Sequence, residues 1–217
     1  MESSLRQYSI GEEIANSITH GVGILLAIGA LGILSTTASL YGNIWHVTSV
    51  SVYAVTLILL YTASTLYHSI QHPRTKHILQ IIDHAAIYIL IAGTYTPFTL
   101  VSLRGPWGWS LFIVIWCLAF IGTAIQFKKT MQWRVISLVL YVGMGWTALV
   151  AIKPLISSVA TGGIVMIITG GVSYTFGILF YGWKSLKFHH AIWHIFVLTG
   201  SILHFFAVLF YVIPIRS

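Results

Sequence analysis

The chain has 217 residues, 57% of them hydrophobic and 7% charged, with a mean hydropathy of +0.90 and a formal net charge of +7. Soluble globular chains carry about 25% charged residues, so this composition excludes that class and marks an integral membrane protein. The single cysteine, Cys117, excludes an intrachain disulfide framework and a thiolate metal site. The basic residues are scattered through loops and not gathered with stacking aromatics, which argues against a nucleic-acid partner.

Residues 1–16 read as a short amino-terminal segment. Within it Ser9 and Glu12 have capping-box spacing, and Ile10, Ile14 and Ile18 share a helical face, which predicts a short interfacial helix leading into the membrane. Seven apolar runs follow, over residues 17–38, 44–68, 79–102, 107–127, 134–152, 157–182 and 190–212. Each is near the roughly 20 residues that carry a helix across about 30 Å of hydrocarbon. They are too long and continuous for the alternating strands, about ten residues each, of a membrane barrel. The first run follows Glu12 and Glu13 and exceeds a signal-peptide core in length, so it reads as a retained helix.

The connecting loops are short and mostly polar, and no internal repeat is evident. The expectation is a single integral membrane domain over residues 1–217, an all-α polytopic bundle with seven transmembrane helices over 17–212. Pro97, after Thr94 and Thr96, predicts a kink in the third span, either a packing feature or a gap for an acyl chain. Gly162, Gly163, Gly170 and Gly171 in the sixth span fit close helix packing.

Placing the amino terminus inside puts Arg6, Arg74, Lys76, Lys128, Lys129, Arg134, Lys184 and Lys187 in the cytoplasm and Arg104, Lys153 and Arg216 outside. This eight-to-three distribution predicts an inside amino terminus and an outside carboxyl terminus. The orientation is opposite to that of G-protein-coupled receptors. A retinal-type protein is excluded as well, since its Schiff base needs a lysine in a late helix and none occurs from Phe188 to Ser217.

This topology gathers His68, at the end of the second span, with His190 and His194, one turn apart at the start of the seventh, near the cytoplasmic side. Three imidazoles with a fourth position left to water make a zinc site of catalytic type. The His190–His194 spacing is that of zincin helices, but the glutamate of their motif is absent between them. A base must therefore come from another helix. Glu2, Glu12 and Glu13 fall in the amino-terminal segment, which leaves Asp83 as the only acid expected in the membrane-spanning body. An intramembrane carboxylate needs a partner, and a metal site would supply one. Asp83 is accordingly the candidate that holds a water at the metal and takes its proton as it attacks a carbonyl. Ser64, one turn from His68 on the same face, could orient that water or donate to a developing oxyanion.

Each residue also has a plainer reading. The three histidines could hydrogen-bond lipid or backbone, Asp83 could pair with an arginine or His84, and Ser64 could serve helix packing. His72, His77, His84, His189 and His46 are expected to be solvated or interfacial. His20 and His204 are expected to make buried hydrogen bonds, with His20 also a candidate to stand behind the ligands.

Together, Ser64 and His68 spaced SxxxH, Asp83 early in the third span, and His190 and His194 spaced HxxxH resemble the progesterone and adipoQ receptor family. Within it, the short chain is similar to the bacterial hemolysin III branch, almost from end to end. The resemblance implies zinc held by His68, His190 and His194, a metal-held water on Asp83, and Ser64 beside it. It also implies a multi-pass protein of the bacterial plasma membrane and a relationship to alkaline ceramidases, which hydrolyse a lipid amide. The long cytoplasmic extension of the eukaryotic receptors is absent, which speaks against a hormone-receptor role.

The leading expectation is a zinc-dependent intramembrane hydrolase of a lipid amide or ester, with a membrane lipid as substrate or ligand. The alternatives are a non-enzymatic zinc-stabilised sensor or regulator of the membrane and a hemolysin III-type cytolytic protein. A pore would need polar residues through the full depth of several helices, whereas the ionisable groups here gather at one leaflet.

Overall fold

A computed structural model describes residues 8–127 and 133–214. Its elements are α1 (Ile10–Tyr41), α2 (Ile44–Ser69), α3 (Pro73–Pro97), α4 (Pro106–Gln126), α5 (Trp133–Gly145), α6 (Ile152–Ser158), α7 (Thr161–Gly182) and α8 (His189–Tyr211). Among the described residues there is no strand, and seven spans are long and apolar enough to cross a membrane. The fifth consists of α5, a 3₁₀ turn at Thr147–Ala151, and α6. Lys128 and Lys129, in the loop before it, lie outside the described residues, as do Glu2, Arg6 and Arg216.

The first span differs from expectation. The interfacial helix and the run at 17–38 are one continuous helix of 32 residues. Its start is set by the capping box: Ser9 N donates to Glu12 Oε2 at 2.9 Å, and Glu12 N donates to Ser9 Oγ at 3.3 Å. With these first-turn groups satisfied, helix begins at Ile10, seven residues before the apolar run. Ile10, Ile14 and Ile18 do share a face, and it points outward. Glu12 and Glu13 therefore belong to a membrane-spanning helix, and Asp83 is not the only acid in the body of the bundle. Hydropathy averaging places the helix start too late because it cannot weigh a cap.

Turn chemistry sets the other boundaries. Asn43 caps α2, with Trp45 N donating to Asn43 Oδ1 at 3.0 Å and His46 closing the box. Gly105, at φ 135°, takes a backbone conformation that other residues avoid, and Pro106 opens α4. After Pro97 the third span continues as a π-helix over Phe98–Ser102, the change of register expected where a proline removes a donor. The expected close packing of the sixth span holds at Gly163, where a Cβ would come within 2.9 Å of the Tyr211 ring.

A polar rung fixes α2 against α8. Tyr61 donates to Ser201 Oγ at 2.7 Å, Tyr53 donates to Ser201 O at 3.2 Å, and the Tyr174 hydroxyl from α7 lies 2.8 Å from Ser201 Oγ. Tyr61 and His68 are seven residues apart on α2, and His194 and Ser201 are seven apart on α8, which runs the other way. The Tyr61–Ser201 rung therefore fixes where His68 meets His194, two turns or about 10.5 Å away along the helices.

Ser201→Ala leaves two buried tyrosine hydroxyls without their shared partner. It should lower stability by about 1–3 kcal/mol, read as a fall in the thermal unfolding midpoint in detergent. An unchanged midpoint would show that the rung does not hold α8 in place.

Candidate metal centre

His68 lies in the last turn of α2, and His190 and His194 lie in the first two turns of α8. The α8 start is sharp: Phe188 adopts a left-handed conformation at φ 57°, and its N–H donates to Glu12 Oε1 at 3.2 Å. All three histidines are buried, and one nitrogen of each lies within 4.8 Å of the others. Among the described residues, this is the group of His, Cys, Asp and Glu side chains arranged to hold a metal ion.

The hydrogen bonds around the cluster test whether a metal fits. His68 Nδ1 is engaged by Glu13 Oε2 at 2.6 Å, and His194 Nδ1 by Thr19 Oγ1 at 3.1 Å and Asn16 O at 3.3 Å. The Nε2 atoms of both rings are buried and have no hydrogen-bond partner among the described residues. A buried polar atom left unpaired costs about 1–3 kcal/mol. Two such atoms aimed into one cluster are what a metal ion would satisfy, so the residues fit the metal.

Asp83 is buried on α3, on the same face as Lys76 and Gln80. It falls outside the set of ligand atoms within 4.8 Å of one another, so the arrangement does not make it a fourth ligand. Among the described residues no lysine or arginine forms a salt bridge with it; the side chains of Arg6, Arg134 and Arg216 lie outside that description. Ser64 is buried beside Asp83, within electrostatic reach of the carboxylate but without a regular hydrogen bond.

The other histidines divide. His204 makes the expected buried hydrogen bond, its Nε2 lying 3.1 Å from Ile167 O. His20 does not: both its ring nitrogens are buried without a hydrogen-bond partner among the described residues, and its ring stacks on His194 with centroids 3.5 Å apart. It does stand behind a ligand, by stacking. His189, expected to be interfacial, is buried, with Nδ1 3.1 Å from Phe180 O. His46 caps α2.

On α1 sequence reasoning offered His20 but missed Glu13 and Asn16. Glu13, Asn16 and His20 stand at i, i+3 and i+7, one helical face, and all are buried. That spacing was a readable signal, obscured by assigning Glu13 to a tail. Lys76 was missed too: it is buried, with Nζ 2.7 Å from Glu13 Oε1 and 3.1 Å from Tyr67 O.

A cavity of about 350 Å³ lies beside the cluster, walled by α3, α5, α7 and α8 and lined by Asp83 and His20; His68, His190 and His194 are not among its lining residues, and His20 connects it to the cluster by stacking on His194. It follows α3 from His77 to Tyr95, about 27 Å of helix, and its walls are mainly apolar, including Ile87, Ile91, Leu138, Val142, Ile178 and Val197. Pro97 does not line it.

Residues 8–205 match the family described as Haemolysin-III related. The chain belongs to that family. It is 48% identical over 208 residues to the hemolysin-3 homolog of Bacillus subtilis (strain 168), covering 96% of this chain and 98% of that one. It is 49% identical to hemolysin-3 of Bacillus cereus, covering 96% of this chain and 95% of that protein. The human monocyte to macrophage differentiation factor is 29% identical over 205 residues, covering 91% of this chain and 83% of that protein. The family match agrees with the resemblance carried by the three motifs. With seven spanning helices and Bacillus relatives of nearly equal length, this haemolysin-III protein is a multi-pass protein of the bacterial cell membrane.

One divalent ion should be found per chain by elemental analysis of purified protein. His194→Ala, His190→Ala and His68→Ala should each reduce it to a small fraction. Full occupancy in all three variants would refute the centre.

Proposed function

We propose that this haemolysin-III protein is a zinc-dependent intramembrane hydrolase acting on the amide or ester of a membrane lipid. The observation that carries this reading is the long, mainly apolar cavity lined by Asp83 and by His20, which stacks on His194. A cluster of three imidazoles with no thiolate suits zinc, which when bound supplies Lewis-acid polarisation of a carbonyl and activation of water near neutral pH.

The chain's own residues supply the rest. His68, His190 and His194 hold the ion. The cavity takes the acyl chain between α3, α5, α7 and α8 and keeps bulk water away from it. Asp83, buried and outside the ligand set, accepts the proton of the attacking water at its carboxylate and returns it to the leaving amine or alcohol. Ser64, beside Asp83, orients that water by its hydroxyl.

A non-catalytic reading, in which the metal only ties α2 to α8 as part of a membrane sensor, uses the same ligands. It leaves Asp83 and the apolar cavity without a task. The orientation adopted here, with the amino terminus and the metal centre on the cytoplasmic side, rests on the eight-to-three distribution of Lys and Arg.

Asp83→Asn should separate chemistry from metal binding. Incubation with a panel of lipid amides and esters, read by mass spectrometry, should show turnover lowered about 10²- to 10⁴-fold, the usual range for loss of a general base. Zinc content of the same preparation should stay at the wild-type level. Loss of zinc in that variant would make Asp83 a ligand, and an inert wild type across the panel would favour the sensor.

Reporter fusions check the orientation. A cytoplasmic reporter should be active at residue 1 and silent after Ser217, and the reverse pattern would put the centre at the other leaflet.

A further inference from the structure

His68 Nδ1 and Glu13 Oε2 are 2.6 Å apart, both buried. The other oxygen of that carboxylate, Oε1, receives the Lys76 ammonium at 2.7 Å. Asn16 Nδ2 also lies 3.4 Å from His68 Nδ1, but the carboxylate contact is far shorter and its other oxygen is taken by the Lys76 ammonium, so the geometry places the hydrogen on His68 Nδ1, donated to Glu13 Oε2. That fixes the tautomer in which Nε2 carries the lone pair, and Nε2 is the nitrogen left without a hydrogen-bond partner among the described residues.

The same logic holds at His194. Thr19 Oγ1 lies 2.9 Å from both Ala15 O and Asn16 O, so its own hydrogen is directed to backbone and its oxygen is left to accept from His194 Nδ1. Asn16 O, a carbonyl, can only accept as well. α1 contributes no ligand, yet its side chains set the tautomers of two ligands borne on two other helices. The two settings differ in strength: His194 has neutral acceptors and His68 has an ion, and hydrogen bonds to an ionised partner are roughly twice as strong.

We infer that Glu13 is a positioning residue of the metal centre, holding His68 as a metal donor through Oε2 while Oε1 fixes Lys76 at the start of α3. Carboxylates behind metal-bound histidines raise ligand basicity and fix ring orientation, and their loss typically costs about 10- to 100-fold in metal affinity. The Lys76 arm extends the effect to the third helix. Lys76 and Asp83 are seven residues apart on one buried face of α3, so the ion pair that anchors Lys76 also sets the height of Asp83 relative to His68.

This inference rests on the metal-centre reading but not on hydrolysis, and metal affinity measured by chelator competition on purified protein tests it. Glu13→Ala should bind zinc about 10- to 100-fold more weakly than wild type. Glu13→Gln, which keeps a neutral acceptor, should fall between the two. Because Glu13→Ala also leaves Lys76 buried without its counter-charge, Glu13→Ala combined with Lys76→Met is the deciding variant. It should remain as weak as Glu13→Ala. Recovery of wild-type affinity in the double variant would assign the loss to the stranded lysine and overturn the inference, as would wild-type affinity in Glu13→Ala. A wild type that binds no zinc would overturn both the inference and the metal centre. Weakened zinc in a protein that cleaves no lipid would uphold the inference and remove the hydrolase.

Discussion

A carboxylate buried inside a protein cannot turn to water, and Glu13 meets that constraint with two short contacts, one to an imidazole and one to an ammonium. Three helices meet at this one side chain. α1 carries it, α2 ends in the histidine it holds, and α3 begins with the lysine that neutralises it. Buried side chains meet few competing hydrogen bonds, so such a junction is hard to exchange for solvent, and it locates the ends of three helices relative to one another. The metal centre is built on that fixed end of the bundle, next to the Glu12 contact that holds the start of α8.

Two rungs then bring α8 to its place. The Tyr61–Ser201 bond lies two turns from the His68–His194 contact on antiparallel helices, so a register set by ordinary hydroxyls in the middle of the bundle is carried to the ligands at its end. Neither rung demands that α2 and α8 pack closely. Long side chains span the gap between them, and the same separation leaves room for the cavity beside α3 and α7. Packing that was tight throughout would hold the histidines equally well but would leave no room for the cavity.

Much of this was legible in the sequence because both signals involved are local and periodic. Apolar runs of membrane-crossing length gave seven spans, and the His190–His194 spacing, joined to His68 through the helix order, gave the ligand cluster. What escaped was tertiary. Glu12 and Glu13 lower the local hydropathy and so look like a tail, although the Ser9–Glu12 cap extends α1 past them and buried partners on α2 and α3 receive Glu13. His189 looked interfacial by position, but its backbone partner Phe180 O comes from α7 and leaves no trace in spacing. Lys76 counted correctly as one of the positive charges at this end of the helices, yet counting could not reveal that it is buried.

The pattern of satisfied and unsatisfied atoms at His68 and His194 is the one a metal site would need, although His20, outside the ligand set, also has both ring nitrogens unpaired among the described residues. A cluster kept for packing would be expected to pair every buried nitrogen, since each one left over is a direct cost in a medium without water. Here the pairing is selective: the Nδ1 atoms of His68 and His194 are engaged by α1, while their Nε2 atoms are left over and converge with His190. Acceptors on α1 choose which nitrogen is spared, and a cation between the rings would offset the cost of sparing both.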